Sequence, residues 1–187
     1  MKLYKNIFLF ILVVSFSTIA YAQEDVWRDL IVKSKNLYQQ GKYQKAIDVA
    51  FEALEVSEKT FGPDHPYFAV TLNNLAELYR AQGKYKEAEP LYKRALKIAE
   101  KSSGSDSLYV ALSLKNLAQL YHKQGKNSEA EPLYERSLSI LEKELGKNHT
   151  HLVDLLEDLA VCYRKSGRIK EAKELEERTK EIRSKAE

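Results

Sequence analysis

Four glycines at one interval constrain this chain more than anything else in it. Gly41, Gly83, Gly125 and Gly167 each stand 42 residues from the next. The residues around them repeat too. Gln40-Gly41-Lys42-Tyr43-Gln44-Lys45-Ala46 is answered by Gln82-Gly83-Lys84-Tyr85-Lys86-Glu87-Ala88, then by Gln124-Gly125-Lys126-Asn127-Ser128-Glu129-Ala130, and finally by Ser166-Gly167-Arg168-Ile169-Lys170-Glu171-Ala172. Self-similarity at one fixed period builds an array of like units, each too small to bury its own apolar face, so neighbours must stack to make a core.

Each unit reads as two helices. Before the glycine, apolar residues recur at helical spacing: Leu72, Leu75, Ala76 and Tyr79, then Leu114, Leu117, Ala118 and Tyr121, then Leu156, Leu159, Ala160 and Tyr163. After it, a second helix presents Ala88, Tyr92, Ala95 and Ile98, matched by Ala130, Tyr134, Ser137 and Ile140. The glycine falls where the first helix must end in a left-handed residue. Gly62, Gly104 and Gly146 end the second helices, and Asp64, Asp106 and Asn148, again 42 apart, are expected to cap the first helices that follow. Pro90 and Pro132 fall just inside the second helices, where a slight bend is expected.

Leu72-Asn73-Asn74-Leu75-Ala76-Glu77-Leu78-Tyr79, followed by Gln82-Gly83-Lys84-Tyr85-Lys86-Glu87-Ala88-Glu89-Pro90-Leu91-Tyr92, resembles the tetratricopeptide repeat family in its long-helix form of roughly 42 residues, as seen in kinesin light chains. The resemblance covers about residues 27–187 and implies an all-α, right-handed α-α superhelical solenoid of four helical hairpins, at about 27–66, 67–108, 109–150 and 151–187. Three departures stand out. Lys33 replaces a usual Leu, Asn127 a usual Tyr, and Glu176, Thr179 and Lys180 the aromatic, small and apolar residues of the last helix. A terminal repeat needs a polar outer face, so the last helix is expected to close the stack, with Ala172, Leu175, Ile182 and Ala186 as its apolar residues and the charges of Glu174 to Lys185 in water.

The first 22 residues follow another pattern. Lys2 and Lys5 precede the apolar run Ile7 to Val14, and Ser15 to Thr18 lead to Ala20-Tyr21-Ala22. That order predicts a secretory signal peptide over 1–22, cleaved before Gln23, and a periplasmic or secreted protein. The run is broken by Ser15 and Ser17 long before the 18 or so residues a membrane span requires, so no membrane association is expected after cleavage. Loss of Lys2 and Lys5 turns 30 basic against 27 acidic side chains into 28 against 27, a net +1. So small a charge supplies no field for a nucleic acid.

No catalytic pattern emerges, and an enzyme is not expected. There is no His-Glu-x-x-His, no phosphate-cradling glycine loop and no Gly-x-Ser-x-Gly elbow, so neither metal nor cofactor is expected. The single cysteine, Cys162, can form no internal disulfide and reads as a small core residue. What remains is surface. The family pattern places first helices on the concave side, and carrying its groove positions over implies contact residues Arg28, Ile31, Val32, Lys35 and Tyr38 in the first repeat and Val70, Asn73, Asn74, Glu77 and Arg80 in the second. In the third they are Leu112, Lys115, Asn116, Gln119, His122 and Lys123; in the fourth, Asp154, Glu157, Asp158, Val161, Arg164 and Lys165. The expected partner is a protein or peptide. Asn73, Asn74 and Asn116 are expected to hold its backbone, because an amide both donates and accepts, while Ile31 and Tyr38 take an apolar anchor. A self-assembling homo-oligomer is the alternative.

Overall fold

The computed structural model describes residues 22–185, so the signal-peptide assignment and Ala186 lie outside the described residues. Among those residues the secondary structure is eight α-helices and one short 3-10 turn, with no strand. They are α1 (22–39), α2 (Tyr43–Phe61), α3 (Pro66–Ala81), α4 (Tyr85–Ser103), α5 (Leu108–Lys123) and α6 (Asn127–Leu145), the turn Thr150–Leu152, then α7 (Val153–Lys165) and α8 (Ile169–Ser184). The chain divides into two compact units, Met1–Pro63 and Asp64–Glu187.

In the first unit α1 and α2 form one hairpin. Ser34 and Ala46 stand at their contact, where the Ser34 hydroxyl donates to the Ala46 carbonyl at 2.9 Å. Ala46, Ala50 and Ala53 are buried, so small side chains bring the backbones close. Trp27 meets Phe61 edge-on, with ring centroids 5.5 Å apart, at the hairpin's open end.

The second unit holds three hairpins, α3–α4, α5–α6 and α7–α8, stacked so that α4 packs on α5 and α6 on α7. First helices also touch directly, α3 on α5 and α5 on α7, whereas no second helix packs comparably on another. The first helices are therefore the closer-set layer and line the inner side of the curve. Core residues follow the sequence period. Leu72, Leu75 and Ala76 on α3, and Ala88, Tyr92, Ala95 and Ile98 on α4, are all buried, as are Leu114, Leu117 and Ala118 on α5 and Ala130, Tyr134, Ser137 and Ile140 on α6.

The glycines differ in what they require. At the first-to-second-helix turn, Gly83 has φ +73, and the Lys84 N–H donates to the Tyr79 carbonyl at 2.9 Å; the same closure recurs at Lys42, Lys126 and Arg168. At the end of α4, Gly104 takes φ 82 and ψ 160, a region that side chains essentially never enter. A Cβ added at either would meet nothing within 4 Å, so the demand is on the backbone alone. Gly83→Ala is expected to lose roughly 1 kcal/mol, the left-handed penalty. Gly104→Ala should lose more, and melting temperatures in the order wild type, Gly83→Ala, Gly104→Ala check the assignment.

The helix starts correct the sequence reading by one residue. The caps are His65, whose Nδ1 accepts from the Tyr67 N–H at 3.2 Å, Ser107, whose Oγ accepts from Val110 at 3.3 Å, and His149, whose Nδ1 accepts from His151 at 3.2 Å. Asp64 and Asp106 are drawn instead to the second helix of the hairpin they precede, α4 and α6, accepting from Lys101 at 2.5 Å and Lys143 at 3.0 Å. Asn148 is exposed and caps nothing. Pro90 and Pro132 lie at the sixth residue of α4 and α6.

The terminal helix is polar outward, as its position demands. Glu176, Lys180 and Arg183 stand where α6 carries Tyr134, Leu138 and Leu141. The charges are not all left in water, however. The Arg178 guanidinium bonds to the Glu142 carboxylate and to the Lys147 carbonyl, Glu176 takes a two-pronged contact from Arg164, and Arg183 reaches Glu157 at 2.8 Å. Its apolar side is Ala172 and Ile182, with Thr179 buried beside them and Leu175 half-buried.

Candidate functional site: the face of α3, α5 and α7

An open depression of about 280 Å³ crosses α3 and α5, lined by Val70, Asn73, Asn74, Glu77, Leu112, Lys115, Asn116 and Gln119. All eight are groove positions expected from the sequence. They converge because α3 and α5 lie side by side with equivalent residues one repeat apart, so Asn74 and Asn116 recur on adjacent helices. A second depression, of about 360 Å³, adjoins it and shares Leu112 and Lys115; Leu108, Ala111, Leu141, Thr150, His151 and Asp154 complete it.

The lining residues divide by what else they do. The Glu77 carboxylate accepts from Arg80 at 2.8 and 2.5 Å and from the buried Tyr92 hydroxyl at 3.0 Å. Burial first, and then the Glu77 charge, hold the Tyr92 phenol above its ordinary range, so it remains a donor. Glu77 and Arg80 thus form a wall. The Gln119 amide donates to Asp158 at 2.7 Å and ties α5 to α7. Asn73 departs from its expected role as an exposed amide. It is buried, and its Nδ2 donates to the Ser113 hydroxyl at 3.0 Å, because its position on α3 turns toward α5 rather than outward. Asn74, Lys115 and Asn116 are half-buried and take part in no hydrogen bond or ion pair.

The remaining positions lie apart from this centre. His122 faces Asn127, with Nδ1 and Oδ1 2.9 Å apart, and Lys123 is exposed. Glu157 and Arg164 are engaged by α8, so these two positions belong as much to the end of the stack as to the groove. Asp154, Val161 and Lys165 are exposed. Ile31, Lys35 and Tyr38 belong to the first unit: Ile31 is half-buried, Lys35 exposed, and Tyr38 stacks at a tilt on Tyr43 with centroids 5.6 Å apart. Leu108 was missed by sequence reasoning. It and Leu112, one helical turn apart, are 46% and 44% exposed, and the missed signal was an apolar pair at i, i+4 on a face where the fourth repeat carries Thr150 and Asp154.

Burial, and next the Lys165 charge, push the His122 imidazole below its ordinary value. The folded chain then resists a proton that the unfolded chain accepts, so stability is full above about pH 6.5 and declines as pH falls below it. His122→Gln keeps a donor for Asn127 and is expected to flatten that decline, measured as urea midpoints at pH 7 and pH 5.5. Cys162 is buried, its thiol 3.3 Å from the Asn127 carbonyl, and burial raises its pKa, which suits a packing residue rather than a nucleophile. Among the described residues no group of three or more His, Cys, Asp or Glu could hold a metal ion, and no helix is long and apolar enough to cross a membrane.

Stacked helical hairpins presenting a concave face of first helices define an α-solenoid repeat protein. The tetratricopeptide repeat profile matches residues 34–101, 67–143 and 109–185, and the chain belongs to that family. Among solved structures, BtubC (BKLC) from P. vanneervenii is 25% identical with a TM-score of 0.75, the match covering 84% of this chain and 63% of that one. This chain therefore spans less than two thirds of that relative's length. Two crystal structures of a Podosopora anserina protein described as a kinesin light chain with nearly identical TPR-like repeats are also similar. One is 28% identical, with a TM-score of 0.74 over 84% of this chain and 74% of that one. The other is 26% identical, with a TM-score of 0.66 over 86% and 76%. A comparison with curated proteins gives no significant match.

Proposed function

We propose that this chain is an exported, non-enzymatic adaptor or scaffold that takes an extended polypeptide segment in the groove of α3 and α5. The tetratricopeptide repeat fold supports a protein-interaction role in general. The observation that carries the finer reading is that Asn74, Lys115 and Asn116 sit half-buried in one depression with no partner in the fold. Polar side chains with no structural task, converging on a concavity, suit a ligand whose backbone offers both N–H and C=O groups.

Recovery of a partner by the mature protein from its native envelope extract, followed by hydrogen exchange with and without that partner, tests the reading. Protection gained on α3 and α5 is the expected result; protection confined to α4 and α6 would move the interaction to the outer face. Export is tested separately by N-terminal mass analysis, with Gln23 expected first and retained Met1 the contrary result. End-on self-assembly is disfavoured by the outer side of α8, where Glu176, Lys180 and Arg183 replace the residues that carry packing in α6. Light scattering is expected to give one mass across concentrations.

A further inference from the structure

We infer that Asp158 receives one basic side chain of the bound segment, and that Gln119 yields the carboxylate by moving to the buried Tyr134 hydroxyl; the inference rests on the groove reading above. Gln119 and Tyr134 stand one repeat after Glu77 and Tyr92. In the earlier pair the tyrosine hydroxyl donates to the carboxylate at 3.0 Å. In the later pair that contact is unmade. Gln119 gives its amide to Asp158 at 2.7 Å, and the Tyr134 hydroxyl, on a side chain 0% exposed, has no partner among the described residues. Burial, and next the Asp158 charge, hold that phenol above its ordinary range, so it stays a donor close to the carboxylate that took its acceptor.

A buried hydroxyl without a partner opposes folding, and native structures carry few of them. Gln119 has two stations, and the charged acceptor wins over the neutral one. A ligand that occupies Asp158 reverses the choice, because the freed Gln119 then offers its Oε1 to Tyr134 as Glu77 offers its carboxylate to Tyr92. That ligand is a cation. Asp154 and Asp158 stand one turn apart on α7, neither of them in an ion pair among the described residues, and carboxylates at that spacing repel. Glu157, between them, already has Arg183 at 2.8 Å. Leu112, 44% exposed, holds on α5 the position that Asp154 holds on α7, and the two border one depression. An arginine or lysine side chain fits this arrangement, with its methylenes along Leu112 and its charge at the carboxylates. Lys115, His122 and Lys165 bound the site, so it suits one such side chain and repels a run of them.

The test selects a binding peptide on the full chain from a random twelve-residue library in which arginine is the one basic residue, and replaces each arginine by citrulline, its uncharged isostere. At one position the exchange is expected to weaken binding about tenfold, the loss of a hydrogen-bonded charge. In Asp158→Asn, which keeps a partner for Gln119, the same exchange should cost nothing further. Tyr134→Phe should melt at or above wild type, bind the arginine peptide about fivefold more weakly, and bind the citrulline peptide as wild type does, since the hydroxyl is satisfied only when the cation displaces Gln119. Peptides selected without arginine, citrulline losses that simply add to that of Asp158→Asn, or a Tyr134→Phe variant that holds the arginine peptide at wild-type affinity each overturn the inference alone. A selected peptide indifferent to Asn74→Ala and Asn116→Ala, or a library that yields no binder, overturns the groove reading and this inference with it.

Discussion

Ala88→Leu is expected to destabilise the chain by roughly 1–3 kcal/mol through overpacking. For a chain of this size that lowers the melting temperature by roughly 2–4 °C for every kcal/mol lost. Ala88 is fully buried in a cluster with Ala76, Tyr92, Leu117 and Leu120, drawn from α3, α4 and α5. Three helices meet there over a methyl group, and added methylenes must displace a ring or a backbone. Glu87, one residue earlier, is exposed, so Glu87→Leu should change stability by no more than about 0.5 kcal/mol. Equal melting temperatures for the two variants would show that the face of α4 turned toward α5 is wrongly assigned.

The double variant Asn74→Ala, Asn116→Ala is expected to weaken partner binding at least tenfold, about 1.4 kcal/mol, while leaving the melting temperature nearly unchanged. Both amides are half-buried in the groove and neither bonds to the fold, so their removal takes nothing from the free protein. Lys93→Ala is the control. Lys93 is exposed on α4, 2.7 Å from Glu89 and over the Tyr121 ring at 6.0 Å, and a surface pair of this kind contributes little. Isothermal titration of the three proteins with the recovered partner decides the matter: wild-type affinity in the double variant, together with a loss in Lys93→Ala, would place the interface on the outer helices.

Arg136 and Arg178 mark something periodicity alone does not show. Arg136 joins Glu100 at 2.7 Å and the Ser105 carbonyl at 3.1 Å, and Arg178 makes the equivalent contacts to Glu142 and Lys147 one repeat on. Each arginine clamps the preceding second helix and the turn after it. Arg94 stands at the same position in the second repeat, and its guanidinium lies over the Phe68 ring, 4.9 Å from its centroid. Together with Lys101–Asp64 and Lys143–Asp106, these contacts run along the outer side of the second unit, away from the α3–α5 groove. Asn74 and Asn116, in the groove, take no part in them.

The sequence by itself determined the helices, their turns and their buried faces. Those follow from local physics: a glycine that must take positive φ, and apolar residues that share a side at a period of 3.6, as Leu72, Leu75 and Ala76 do. Placing Asn74 and Asn116 on one face needed only the repeat length. Choosing between Asp64 and His65 as cap was beyond it, since both side chains can accept an N–H and only Lys101, far along on α4, settles which one does. The division among the three asparagines was likewise tertiary. Asn73 and Asn74 are adjacent in sequence, yet successive helical residues point about 100° apart. How close α5 lies decides that Asn73 finds Ser113, 40 residues away, while Asn74 finds nothing. Helix-to-helix distance is set by every side chain in the layer between them, and no short pattern in the sequence encodes it.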